Sequence, residues 1–116
     1  MVRRYVLHRC CNRLGGNALS QSIDIKGYWT IHICYNVDLA ELNSGFTATD
    51  YSKRVSVVAI GITTSKEELI NTIIHEAKHV QSHICNYYDI PEDGEDAAYL
   101  IGYIAMKMYN CFKSLI

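Results

Sequence analysis

VSVVAIGITTSKEELINTIIHEAKHVQSHICNYY, residues 55–88, decides the fold. Its opening run, Val55 to Ile62, is apolar and rich in β-branched side chains, the pattern of a strand. Thr64-Ser65-Lys66-Glu67 then offers a capping box, and Ser65 with Glu68 offers the same pattern one residue later. From there Leu69, Ile73, Ala77, Val80 and Ile84 recur at helical spacing, so the strand leads directly into a long amphipathic helix. The apolar stripe lies roughly opposite His75 on a helical wheel, which turns His75 and His79 away from the main core.

Upstream of this stretch the chain reads as strands. Val2 to Arg9 is β-rich, Ser22-Ile23-Asp24-Ile25-Lys26 alternates until Gly27, and a strand resumes over Tyr28 to Tyr35. On that strand Trp29, Ile31, Ile33 and Tyr35 share one face, and Tyr28, Thr30, His32 and Cys34 share the other. Val37 to Leu42 has the pattern of one helical turn. Asn43-Ser44-Gly45 breaks the chain, and the stretch from there to Val55 reads as irregular. Downstream, Pro91-Glu92-Asp93-Gly94 is a turn, followed by a second helix from Glu95 to Phe112 whose only charges are Glu95, Asp96 and Lys107. Such a helix is expected to be largely buried, with Ala98, Gly102 and Ala105 forming a small-residue stripe suited to close approach by another helix. The expected architecture is α+β, a single domain over residues 1–116. A small, mostly antiparallel sheet packs on the His75–His79 helix and on the C-terminal helix.

Composition narrows the function classes. With 116 residues and a net charge of -1, the chain has no general pull toward nucleic acid or an anionic membrane surface. Arg3, Arg4, Arg9 and Arg13 make the N-terminus basic, as a solvated strand face or as a contact patch for an acidic partner. Neither a helix-turn-helix nor a strongly basic face is evident, so nucleic acid is not an expected partner. No apolar run approaches the roughly 18 residues of a membrane span, and the N-terminus lacks the apolar core of a signal peptide. A cytoplasmic protein is expected. The five cysteines are odd in number and lack C-x-x-C spacing, which suits reduced thiols. A metal site at His8, Cys10 and Cys11 is disfavoured, because adjacent cysteines on an extended segment point to opposite faces.

His75-Glu76-Ala77-Lys78-His79 carries the chemistry. Residues four apart on a helix lie about 6 Å apart along the axis on one face, so both imidazoles reach a single ion. Zn2+ suits neutral imidazole, and a catalytic site needs three protein ligands and an open position for water. Glu76 lies about 100° from His75 and about 60° from His79, beside the ion rather than on it, where it serves as general base. His83 lies about 12 Å along the axis from His75, too far to share that ion. Cys85 occupies the place of the third histidine in the metzincin pattern, but Ser82 stands where that pattern needs glycine. If the small-residue stripe packs beside the first helix, Glu95 points toward the metal and Asp96 away. Glu95 is therefore the expected third ligand, with Asp96 and Glu92 as alternatives. Acidic residues in a first turn also suit the helix dipole without any metal.

With Glu95-Asp96-Ala97-Ala98 on the later helix, the motif resembles the gluzincin class of zinc metallopeptidases, and more distantly the ImmA/IrrE-like intracellular peptidases. The resemblance covers about residues 55 to 112. It implies a minimal zincin-like fold, a peptide or protein substrate, and metal ligands at His75, His79 and Glu95. It also implies an extended substrate paired with an edge strand, a role that Val55 to Ile62 would take. Tyr87, Tyr88, Tyr99 and Tyr103 are candidates to stabilise the oxyanion, although tyrosines at helical spacing equally suit a core. So short a chain implies an open cleft, a narrow substrate range or a protein partner that completes the site. The competing expectation is a non-catalytic interaction or assembly protein that keeps the scaffold with a structural metal or none. Glu76 favours the enzyme, because a structural site has no need of a carboxylate beside its ligands.

Overall fold

The computed structural model describes residues 19–37, 45–63 and 65–113. The expectations for Val2 to Arg9, the N-terminal arginines, the His8, Cys10 and Cys11 group and most of Val37 to Leu42 lie outside these residues. The elements run β1 (Leu19–Ile25), β2 (Trp29–Val37), β3 (Gly45–Asp50), β4 (Val55–Gly61), α1 (Lys66–Tyr88) and α2 (Glu95–Phe112). They form an α+β domain, with a four-stranded mixed sheet in the order β1-β2-β4-β3 and two helices.

A tight turn joins β1 to β2, with Lys26 and Gly27 both at positive φ and the Tyr28 amide bonded to the Ile25 carbonyl. The register pairs Ile25 with Trp29 across the three residues 26–28, and the positive φ explains the glycine that interrupts the alternating pattern. The β1–β2 and β3–β4 ladders are antiparallel, and the β2–β4 ladder between them is parallel. The helix-facing side carries Ile23 and Ile25 from β1 and Trp29, Ile31, Ile33 and Tyr35 from β2, all buried as the period of two requires. Val57 and Ala59 on the other side of β4 are equally buried, so this strand is enclosed on both faces, as its unbroken apolar run suggests.

Two expectations are corrected by the sheet order. Val55–Gly61 is an interior strand paired on both sides, so it has no open edge for a substrate. Among the described strands the edge on that side is β3, in the stretch that reads as irregular. Its sequence, GFTATD, alternates but contains only one large apolar residue, so the strand signal is weak.

α1 begins at Ser65, whose Oγ accepts the Glu68 amide at 3.0 Å, and ends at Asp89 in the left-handed conformation. The cap is therefore the second of the two alternatives, Ser65 with Glu68. All five residues of the expected stripe, Leu69, Ile73, Ala77, Val80 and Ile84, are buried. α2 buries Ala97, Leu100, Ile104, Met108 and Phe112, with Phe112 edge-on to Tyr35 at 4.7 Å. The expected small-residue stripe is not the packing face: Ala98 and Gly102 are exposed, with open space around Gly102, and only Ala105 is partly buried against the core. Larger side chains bury more apolar area, so Leu100, Ile104 and Met108 take the core in preference to the small residues. No helix among the described residues is long and apolar enough to cross a membrane.

Candidate active site

α1 sits across the sheet with one flank against β3. The strand register places Gly45, Thr47 and Thr49 opposite Ile60, Val58 and Ser56, so these small or polar residues form the helix-facing side of the edge strand. Glu76 lies against them and is only 3% exposed. Thr47 Oγ1 donates to Glu76 Oε1 at 2.7 Å. Gly45 makes room for the other oxygen, since a Cβ there would stand 3.2 Å from Glu76 Oε2 and 2.7 Å from the Ala59 carbonyl.

His75 and His79 are exposed on the outer face of the same helix, their rings edge-on with centroids 5.0 Å apart. This is the spacing expected of an i, i+4 pair, and it suits two imidazoles converging on one zinc ion. On the flank toward β3, His83 is half-buried and bonded through Nδ1 to Thr49 Oγ1 at 2.6 Å. Burial holds its imidazole below the usual histidine range, and the nearby His79 adds to that effect.

Glu92 in the turn before α2 reaches back to α1. Its Oε2 accepts from Ser82 Oγ at 2.9 Å and from Lys78 Nζ at 3.1 Å. Ser82 and Lys78 stand about 20° and about 60° round the helix from His75, so this carboxylate lies beside the histidine face. The Ser82 hydroxyl first, and Lys78 second, hold it below the usual carboxylate range. Glu95 is placed differently. It is exposed and stands about 160° round α2 from the buried Ala97, so it points away from the packed core. Asp96 is also exposed. Among the described residues, no three His, Cys, Asp or Glu side chains cluster closely enough to hold one ion. The two imidazoles therefore stand without a third ligand beside them, and Glu95 is not brought to them, because the packing face of α2 differs from the one that would have aimed it there.

Among the described residues, none of the candidate tyrosines Tyr87, Tyr88, Tyr99 and Tyr103 is tied to the histidine pair. Tyr87 and Tyr88 pack with Trp29, Tyr28 and Tyr51, Tyr103 lies beneath Lys26 and Lys107, and Tyr99 is 75% exposed. Cys85 and Cys111 are free thiols whose pKa values burial pushes up, so neither is an activated nucleophile. Gly45, Thr47 and Thr49 are the site residues that sequence reasoning missed. The signal that could have found them is the alternation of small and hydroxyl side chains through residues 45–49. No protein-family model, curated protein or solved structure matches this chain.

Proposed function

We propose that this chain is a zinc-dependent peptidase acting through His75, His79 and Glu76. The observation that carries the reading is the pairing, on one helix, of a buried carboxylate with two exposed imidazoles one turn apart. Burying a carboxylate costs free energy that an apolar side chain would avoid, and such groups concentrate where chemistry needs them.

His75 and His79 would hold the ion, and a carboxylate from the entry to α2, Glu92 or Glu95, would complete the set. Bound zinc would supply Lewis acidity, bringing a water to a pKa near about 7. Glu76 accepts the proton from the attacking water and later returns it to the departing amine. Thr47 would orient that carboxylate through Oε1. Among the described strands β3 has a neighbour on one side only, so its outward amides and carbonyls would seat an extended peptide. The resemblance to gluzincins supports this reading, and a cytoplasmic location fits it.

A second reading is favoured by one observation. Glu76 is almost fully enclosed and bonded to Thr47, as in a clamp that fastens β3 to α1 within a non-catalytic interaction protein. Hydrolysis of a mixed peptide library by the zinc-loaded chain and by Glu76→Gln separates the two. The peptidase reading expects cleavage that falls by at least about a hundredfold in Glu76→Gln and stops on chelation. Absence of stoichiometric zinc, or equal cleavage by Glu76→Gln, overturns it.

A further inference from the structure

The outer face of α2 has the character of an interface. Tyr99 is 75% exposed and Met106 is 48% exposed, and Ala98 and Gly102 lie exposed between them. These residues fall within an arc of about 100° on the side opposite Ala97 and Ile104. Open space surrounds Gly102, which leaves a notch, and Met106 projects one turn further on. Charge appears on this arc only at its ends. Glu95 opens the helix and Lys113 caps it, eighteen residues or about five turns apart on one line.

We propose that this face docks a second copy of the chain, α2 against α2, antiparallel about a two-fold axis near Ile104. The occupant follows from the face itself, which carries both halves of each contact that a two-fold interface requires. In that register Met106 enters the notch over the partner's Gly102, Tyr99 meets the exposed part of the partner's half-buried Tyr109, which lies on the same arc, and Glu95 meets the partner's Lys113. The axis makes every contact twice. A parallel arrangement would set Glu95 against its own copy and align the helix dipoles, so charge selects the antiparallel one. One helix-on-helix contact belongs to the small, weak class of interfaces, so the dimer is concentration-dependent. The surface is on α2 and uses neither His75 nor His79; of the zinc reading it shares only Glu95, and the Gly102→Leu test touches no residue of that reading.

Sedimentation equilibrium of the full chain, from low micromolar to submillimolar concentration, tests the proposal. The expected result is a reversible dimer that Gly102→Leu abolishes by filling the notch. Leucine is a better helix former than glycine, so an unchanged circular-dichroism spectrum is expected alongside. Glu95→Lys should weaken the dimer by about three- to tenfold, and Glu95→Lys combined with Lys113→Glu should restore it. A monomer at every concentration, or a dimer indifferent to Gly102→Leu and to the single charge reversal, overturns the proposal.

Discussion

Thr47 Oγ1 donates a 2.7 Å hydrogen bond to Oε1 of Glu76, joining the edge strand of the sheet to the buried carboxylate of the long helix. A carboxylate taken from water without a donor is costly, so this contact stabilises the packing of β3 on α1. Thr47→Val keeps the shape and removes the donor. It is expected to lower stability by about 1–3 kcal/mol, with Thr47→Ser near wild type. Urea unfolding checks this, and an unchanged Thr47→Val midpoint would show that the bond contributes nothing.

Gly45→Ala tests the same junction from the other side. The added Cβ would stand 2.7 Å from the Ala59 carbonyl, a separation that real Cβ atoms essentially never adopt, so β3 has to shift. A loss of about 1–3 kcal/mol is expected, read as a lowered melting temperature. Wild-type stability in Gly45→Ala would contradict the close approach.

A buried hydroxyl relay runs beside the site. Trp29 Nε1 donates to Ser56 Oγ at 3.0 Å, Ser56 and Thr49 are 2.7 Å apart, and Thr49 Oγ1 is 2.6 Å from His83 Nδ1. Ser56→Ala strands the indole N–H in the core and breaks the relay, at a cost of about 1–3 kcal/mol. Equilibrium unfolding followed by tryptophan fluorescence measures it. A change below about 0.5 kcal/mol would mean that the indole has found another acceptor.

His83 makes the stability depend on pH. Indole can only donate, so the simplest relay has Ser56 donating to Thr49 and Thr49 to His83 Nδ1, which favours neutral imidazole. Burial lowers its folded pKa, with His79 contributing, and burial lowers that of His32 as well. The unfolded chain then binds more protons. The stability from neutral imidazole is complete above the unfolded pKa of about 6.5 and is lost as pH falls through it toward the lowered folded value. Urea midpoints should therefore drop between about pH 7 and pH 5, less steeply in His83→Gln. An NMR titration placing His83 at or above 6.5 would refute the assignment.

Zinc retention discriminates between the two carboxylates proposed to complete the metal site. Glu92 is anchored to α1 by Ser82 and Lys78, whereas Glu95 faces away from the packed side of α2. His75→Ala and His79→Ala should each lose stoichiometric zinc, and Glu92→Gln should weaken retention more than Glu95→Gln. Competition with a chromogenic chelator gives the ranking. The reverse order would return the third position to Glu95.

Much of the fold was legible because it rests on local periods. The alternation of Trp29, Ile31, Ile33 and Tyr35, the stripe from Leu69 to Ile84 and the bounds of the last helix from Glu95 to Phe112 all follow from side-chain spacing. The strand at residues 45–50 was not legible, because Gly45, Thr47 and Thr49 bury little apolar area and their strand character comes from pairing with β4. The same locality limited the site. The exposure of His75 and His79 follows from their place on the wheel, whereas the neighbours of Glu76 and His83 come from a strand about thirty residues away.

By itself, then, the sequence determined a capped amphipathic helix that turns two histidines outward and a glutamate sideways, because a helix converts spacing directly into direction. Only the tertiary structure decided that Val55–Gly61 lies inside the sheet, that Gly45 and Thr47 enclose Glu76, and that Glu92 rather than Glu95 reaches the first helix. The physical reason is that strand order and the packing face of α2 are chosen by the apolar area buried across the whole domain. Leu100, Ile104 and Met108 bury more of it than Ala98 and Gly102, and their burial turned Glu95 away from the histidines.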